Sequence, residues 1–400
     1  MSVPQKYLSK RGMLLMLALI SCFPPVSTDL YLPALPGMME GFGVTQAKLN
    51  LSLSLFFVFF AFAILIWGPL SDKYGRKPIL VTGLLIYIFS SMMCAVSRDV
   101  NHLIFFRICQ ALGGGAATAV STAVVKDCFS GFERARVLAI IMSIVILAPV
   151  VAPLLGAFLL KISSWRAIFW VLAGVGILAL AASFLLQETL PQKYQGSTMA
   201  SLGRLFVVLK NPGFSCLLGT FSIITIPLMG FLAASSYIYV NGFGLSEQQF
   251  SFYFSLNAAC AMAGPLLYIR FSRKLEAAAI ITACYASLLI SGIFIIFFGT
   301  GSPAMFALFM CPATLSIMVM RPPSANLMLE QQDEDTGSAS ALINFSGMIM
   351  GSMGMFMVSF WSVDVMIPVL GSLQITIGLV GGLLWLVFRK RPFVRYEKRG

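Results

Sequence analysis

One carboxylate lies deep inside an apolar segment near the start of the chain. Asp29 falls in the stretch PPVSTDLYLP, residues 24–33, within an apolar run that begins near Gly12. A charged side chain at that depth costs about 2.5–3.5 kcal/mol to insert, so such groups face a protein interior or a water-filled cavity. Asp29 is therefore predicted to bind and release a proton in a transport process.

A second buried charge, Arg107, follows in the fourth apolar run. At 1.5 Å per residue, Asp29 lies roughly 10 Å and Arg107 roughly 8 Å beyond the middle of their spans, on the same side. We expect the two to form an opposed pair, which lowers the cost of both; the alternative is that Arg107 snorkels to the interface. Burial and a nearby cation act in opposite directions on the proton affinity of a carboxylate, which suits proton exchange at working pH.

The elements that must hold these charges are membrane helices. Of 400 residues, 58% are hydrophobic and 10% charged, with a mean hydropathy of +0.90, whereas soluble domains carry about 25% charged residues. Twelve apolar runs can each cross a hydrocarbon core of about 30 Å as a helix. The predicted class is all-α integral membrane, with 12 transmembrane helices in two six-helix bundles. The spans are predicted over residues 12–33, 47–67, 78–96, 102–123, 135–159, 165–186, 213–239, 248–269, 276–299, 303–326, 337–361 and 366–388.

The net charge of +12 indicates orientation rather than a nucleic-acid partner. Among the loop cations, only Lys48, Arg98, Lys161 and Arg166 fall in gaps on the side opposite the amino terminus. Because cytoplasmic loops carry the excess of Lys and Arg, both termini are predicted to be cytoplasmic, in a multi-pass protein of the inner (plasma) membrane. The basic residues are expected to contact anionic membrane lipid.

The eight cysteines are scattered through or beside the spans without a CxxC pair. Neither a disulfide framework nor a zinc site is expected, so we predict no metal and no cofactor. The first apolar run is too long for a cleaved signal peptide and has no small-residue cleavage site behind it.

The gap between the second and third spans contains GPLSDKYGRKPIL, residues 68–80. Its simplest interpretation is a tight cytoplasmic turn in which Gly68 and Gly75 supply backbone freedom. The string also resembles the motif G-x-L-a-D-r-x-G-r-k-x-x-l of the major facilitator superfamily (MFS), with Lys73 where the family has Arg.

The resemblance implies the MFS fold and a charged latch between the two halves that breaks and re-forms as the carrier changes shape. Gly68, Asp72, Gly75 and Arg76 would belong to this latch, and Asp127, after the fourth span, would be its partner by family analogy.

The fifth span contains APVVAPLLG, residues 148–156, with Pro149, Pro153 and Gly156. Prolines with small neighbours predict a kinked helix that other helices approach closely. The segment resembles the antiporter motif of drug exporters. Together with STDLYLPALP in the first span and TGSASALINF at residues 336–345, it is similar to the Bcr/CflA subfamily of 12-helix drug/proton antiporters.

That resemblance implies a proton-coupled exporter of small, largely apolar drugs or antibiotics such as phenicols, working by alternating access. Asp29 would be protonated from outside and would release its proton inside as the substrate binds. Small-molecule drug, protons and membrane lipid are the expected partners, and the chain is expected to be a monomer.

The longest polar gap predicts the domain organisation. We predict an amino-terminal six-helix bundle at 1–187, a cytoplasmic linker at 188–211, a second bundle at 212–388 and a basic cytoplasmic tail at 389–400. The string Gly68-Pro69-Leu70 recurs as Gly264-Pro265-Leu266, which indicates an internal repeat with the substrate site between the halves.

Six polar or aromatic residues inside the spans are candidates for substrate contact. An aromatic stripe at helical spacing is more often packing than binding, but amides in hydrocarbon need hydrogen-bond partners. The candidates are Ser21, Tyr31, Gln110, Tyr253, Asn257 and Asn344.

Three alternatives remain. The same fold could take up a nutrient or export a siderophore, an amino acid or another metabolite, since one buried acid does not set direction. A membrane-embedded enzyme would need clustered catalytic groups, and a channel is disfavoured by the latch motif.

Overall fold

The computed structural model describes residues 5, 7–190, 198–332 and 336–395, and in these ranges all regular structure is helical. The α-helices are α1 Lys10–Ser21, α2 Phe23–Asp29, α3 Leu35–Phe42, α4 Gln46–Tyr74, α5 Arg76–Ala95, α6 Val100–Cys128, α7 Gly131–Ile162, α8 Trp165–Leu185, α9 Thr198–Leu209, α10 Pro212–Ser222, α11 Thr225–Tyr237, α12 Glu247–Phe271, α13 Ala277–Phe298, α14 Pro303–Leu329, α15 Thr336–Ser359 and α16 Val363–Phe388. Within the described ranges, eleven helices are long and apolar enough to cross a membrane, and the bent pair Lys10–Ser21 and Phe23–Phe42 makes a twelfth. The predicted all-α membrane fold is confirmed.

The first span is a series of short helices. α1 and the segment after it meet at 43°, and Pro24 and Pro25 lie in the first turn of α2, where they remove backbone donors. α2 ends at Asp29, a 3₁₀ turn follows at Leu32–Ala34, and α3 completes the span. The interruption falls directly after the buried acid.

α4 runs past its predicted end at residue 67 and continues to Tyr74. Gly68 lies inside this helix, so the expectation that it forms part of a tight turn is wrong. The turn is made by Gly75 alone, whose φ of 110° is open mainly to glycine. One residue therefore separates α4 from α5.

The chain divides into two compact units, Met1–Leu202 and Gly203–Gly400. The predicted linker, residues 188–211, contains the helix α9. Residues 191–197 of that linker and 396–400 of the predicted tail lie outside the described residues. The predicted four-part division of the chain stays a prediction.

The two units repeat one packing scheme. In the first, α4 packs on α6, α5 on α6 and α8, and α2 on α7; in the second, α12 packs on α14, α13 on α14 and α16, and α11 on α15. The closest approaches also correspond: a methyl group on Gly156 would overlap the Leu30 carbonyl, and one on Gly354 the Ile226 carbonyl. Such small residues let membrane helices approach closely. The packing of the two units therefore repeats, as the recurring Gly-Pro-Leu string indicated.

Candidate functional site

Asp29 is buried where the first span breaks. Its residue is 3% exposed, and its Oδ1 accepts a hydrogen bond from Thr28 Oγ1 at 3.0 Å. The same hydroxyl also lies 3.0 Å from the carbonyl oxygen of Pro24, so its single proton is shared between acceptors. Among the described residues no cation is paired with the Asp29 carboxyl.

Arg107 lies at the centre of a buried polar cluster on α6, and the guanidinium does not snorkel to an interface, since the residue is 0% exposed. Nη1 donates to the Ser27 carbonyl at 3.0 Å and to Gln110 Oε1 at 2.6 Å. The guanidinium carbon lies 4.3 Å from the Phe56 ring centroid and 5.1 Å from that of Tyr31. Such faces stabilise a desolvated cation by about 2 kcal/mol. Nε and Nη2 have no hydrogen-bond partner among the described residues.

The predicted ion pair between Asp29 and Arg107 is wrong for the described residues, because Nη1 bonds to other groups and Nε and Nη2 to none. The prediction compared the depths of the two residues in the membrane, which follow from the rise per residue. It did not consider the directions in which their side chains point around their helices. The Ser27 side chain faces the Arg107 cluster, where its Oγ lies 2.6 Å from Tyr87 OH. Asp29 follows two residues later, and two residues turn an α-helix by about 200°. The acid and the cation are therefore in one unit without touching.

Polar side chains that the sequence analysis did not select complete the Arg107 cluster. Ser27 Oγ and Tyr87 OH lie 2.6 Å apart. Gln110 Nε2 donates to Ser91 Oγ at 2.7 Å, and that hydroxyl donates to the Tyr87 carbonyl at 2.7 Å. Tyr87 and Ser91 are four residues apart on one face of α5, a spacing that could have identified them.

Tyr31 and Gln110 belong to the Arg107 cluster, whereas Ser21 does not. The Tyr31 hydroxyl lies 2.9 Å from Ser52 Oγ, and its ring faces the guanidinium. Ser21, the last residue of α1, lies 2.8 Å from Ser121 Oγ on α6. All three predicted residues thus have partners within the first unit.

The fifth-span motif is positioned against the Asp29 segment. α7 is a continuous helix through Pro149 and Pro153. Gly156 packs on the carbonyl of Leu30, where a Cβ would have no room. Leu30 directly follows Asp29, so α7 supports the interruption that carries the acid.

The predicted latch residues come together at the junction of α4, α5 and α6. Arg76 Nη1 lies 2.6 Å from Asp72 Oδ1, and its Nε lies 2.9 Å from Asp127 Oδ2. The side chains of Asp72 and Asp127 are 50% and 11% exposed, so the two pairs differ in their contact with water. Gly75 makes the turn that places Arg76, and Gly68 lines a cavity of about 430 Å³ with Asp72 and Arg76.

Glu188, just after α8, joins this junction and was not among the predicted site residues. Its Oε1 accepts from the backbone N–H groups of Arg76 at 2.9 Å, Thr189 at 3.0 Å and Leu190 at 3.1 Å. Its Oε2 accepts from the N–H of Lys77 at 3.2 Å. The carboxylate therefore caps the amino terminus of α5, where backbone donors lack helical acceptors.

In the second unit, two of the three candidates lie on one face of α12. The Tyr253 ring stacks on Tyr239, with centroids 5.1 Å apart and planes at 9°. Asn257 is 5% exposed and its Nδ2 lies 3.7 Å from Cys311 Sγ. Asn344 is exposed and donates at 3.0 Å to a carbonyl one turn earlier in its own helix.

In the part of the chain that the structure describes, twelve apolar spans lie in two units with one packing scheme, and the first span is broken beside a buried acid. These features are typical of membrane transporters. A model of the Major Facilitator Superfamily matches residues 17–355. The chain belongs to this superfamily, as the motif at residues 68–80 predicted.

Several relatives are named as drug-resistance proteins. The chain is 27% identical over 373 residues to the bicyclomycin resistance protein homolog of Haemophilus influenzae, covering 89% of this chain and 91% of that protein. It is 30% identical over 205 residues to the multidrug resistance protein MdtL of Klebsiella pneumoniae, covering 49% and 52%. Its fold is similar to the crystal structure of a D-xylose-proton symporter, with a TM-score of 0.76, 13% identity and coverage of 96% and 98%.

Proposed function

We propose that this chain exports small, largely apolar drugs in exchange for protons, by alternating access. Relatives named for bicyclomycin and multidrug resistance support the substrate class, and the Bcr/CflA-like motifs support the exchange. The observation that carries the proton coupling is Asp29, a buried carboxyl at a helix break to which no cation is paired among the described residues. Phenicols are the first compounds to test.

The coupling step is proposed to use Arg107 as the counter-charge of Asp29. Arg107 is fully buried, and two of its nitrogens have no partner in the described residues. Once deprotonated, Asp29 is a buried anion in the same unit, and charges attract strongly where the dielectric constant is low. The interruption after α2 frees this segment from a continuous helical ladder. Proton release therefore draws the Asp29 segment toward Arg107, and proton uptake lets it return.

One proton supplies enough free energy for useful export. Moving it inward through about 100 mV releases about 2.3 kcal/mol. At 1.4 kcal/mol for each factor of ten, this supports a gradient of about 50-fold for a neutral drug.

The six candidates for substrate contact fall into groups according to the contacts that their side chains already make within the protein. Tyr31 and Gln110 contact Arg107 and are proposed to act through it rather than on the drug. Tyr253 and Asn257 lie on one face of α12 beside Tyr239 and are proposed to contact apolar substrate in the second unit. Ser21 and Asn344 remain weaker candidates, since hydrogen bonds within the protein already engage both side chains.

The Arg76 junction is proposed as the latch that controls the conformational change. Asp72, half exposed, is the partner more easily released, while Asp127 keeps Arg76 in place. The motif of Pro149, Pro153 and Gly156 is proposed to transmit movement between α7 and the Asp29 segment. We also propose that the chain works as a monomer in the inner membrane with both termini cytoplasmic; the excess of Lys and Arg in the loops on the side of the amino terminus supports this orientation.

Overexpression in a drug-sensitive strain tests the direction of transport. Export predicts higher resistance to the phenicol and lower cellular accumulation, and a protonophore should abolish both effects. A strain expressing Asp29→Asn at the same level is the matched control. If the wild-type protein sensitised the cells, the chain would be an importer.

A further inference from the structure

One arginine, Arg321, lies well inside a membrane span of the second unit. It comes eight residues before the end of α14 at Leu329. The other charged side chains in the described spans of this unit lie at or next to a helix end: Glu247, Arg270 and Asp364. A charge inside a span is costly, and it is kept where it pairs with another charge or lines a path for substrate. These described spans offer Arg321 no acid away from their ends.

The position of Arg321 around α14 indicates which way it faces. Side chains at spacings of three and four from it form one stripe and are 0–3% exposed: Met310, Thr314, Ile317, Ser324 and Met328. Ile317 and Met328 belong to the hydrophobic core of the second unit. Met305 and Leu308, which are 46% and 64% exposed, lie about 140–160° around the helix from Arg321. Arg321 is therefore on the inward side of α14, away from the exposed apolar side chains that suit lipid.

The guanidinium of Arg321 is open to a ligand. Unlike the rest of its stripe, Arg321 is exposed. Side chains of an α-helix lean toward its amino terminus, which for α14 is at Pro303, so this one leans toward the middle of the span and away from the nearer end. The guanidinium makes no hydrogen bond and no ion pair with another described residue. Its donors are free where the surrounding spans carry no counter-charge.

We propose that Arg321 binds the anionic group of the transported compound, so that preferred substrates are largely apolar molecules that carry one carboxylate. This inference rests on the proposed drug export and narrows its substrate class. A guanidinium donates two parallel hydrogen bonds to a carboxylate, which orients the ligand as well as attracting it. One cation balances one negative charge, so a carboxylate fits better than a phosphate monoester with a charge of about −1.5 to −2.

The probes are a neutral phenicol and its hemisuccinate ester, which adds one carboxylate to the same aromatic compound. Equilibrium dialysis measures the binding of each to the purified full-length chain in detergent, without a proton gradient. Arg321→Gln should weaken binding of the hemisuccinate by about tenfold or more, because a charged hydrogen-bond partner is lost. Binding of the neutral phenicol should change by less than about twofold. Arg270→Gln, which removes an exposed guanidinium at the end of α12, is the matched control and should bind both compounds as the wild type does.

Arg321→Lys provides a second variant that keeps the positive charge but lacks the planar fork. Its affinity for the hemisuccinate should fall between those of the wild type and Arg321→Gln. A single symmetric peak in size-exclusion chromatography confirms that each variant is folded.

Three results would overturn the proposal: a wild type that does not bind the hemisuccinate, an Arg321→Gln variant that binds it as the wild type does, or equal losses for both compounds. Failure of the proposed export is seen separately, in the resistance assay. If the chain gave no resistance while Arg321→Gln lost only the hemisuccinate, the export would be refuted and the anion site would stand.

Discussion

Replacing Glu188 by alanine removes the acceptor for four backbone N–H groups at the junction of α8 and α5. The donor–acceptor distances are 2.9–3.2 Å. Two of the donors, in Arg76 and Lys77, begin α5, where no helical carbonyl is available. Loss of an N-terminal cap costs about 0.5–2 kcal/mol. Because the lost acceptor is charged, we expect Glu188→Ala to lower the free energy of unfolding by about 2 kcal/mol.

Glu188→Gln is the matched control for this prediction. Glutamine keeps one carbonyl oxygen, which can replace Oε1, but lacks the negative charge that contributes about 0.3–1 kcal/mol at a helix amino terminus. Thermal unfolding in one detergent, followed by tryptophan fluorescence, should rank the melting temperatures as wild type, then Gln, then Ala. If Glu188→Ala had the melting temperature of the wild type, Glu188 would not stabilise the amino terminus of α5. If Glu188→Gln and Glu188→Ala had equal melting temperatures, the hydrogen bonds from the backbone N–H groups would not contribute the stability assigned to them.

Two further pairs of variants test packing and the latch. Gly156→Ala should lower the melting temperature by an amount equivalent to about 1–3 kcal/mol, because the added methyl overlaps the rigid carbonyl of Leu30. Gly174→Ala, with nothing within 4 Å of the added methyl, should be neutral or slightly stabilising, and equal losses in both variants would contradict the packing argument. Asp127→Asn, by removing a partner that is 11% exposed, should cost about 2 kcal/mol, whereas Asp72→Asn, at 50% exposure, should cost under about 1 kcal/mol. Chemical unfolding in mixed micelles measures both, and the reverse order would show that Asp72 is the main anchor.

Composition was enough to predict the membrane class, and the resemblance to a family motif predicted the contacts of Arg76 with Asp72 and Asp127. Twelve apolar runs need no partner information, because length and hydropathy decide whether a helix can span a bilayer. The closeness of Asp72 and Arg76 also follows from the chain itself, since residues four apart share a helix face or a turn.

The sequence alone does not predict which way a side chain points around its helix, or which distant segments of the chain are in contact. The sequence predicts similar depths for Asp29 and Arg107, yet Arg107 donates to the backbone carbonyl of Ser27, two residues before Asp29. Glu188 lies more than a hundred residues from Arg76, and a glutamate after an apolar span carries no local sign that it caps another helix.

Proton release on drug binding is the most direct test of the role given to Asp29. The purified protein in weakly buffered solution is mixed with drug, and a pH indicator reports the protons set free. The wild type should release about one proton per drug bound, as expected for exchange at a single buried carboxyl. Asp29→Asn should bind drug without release, whereas an Asn variant that released as many protons as the wild type would show that the coupling group lies elsewhere.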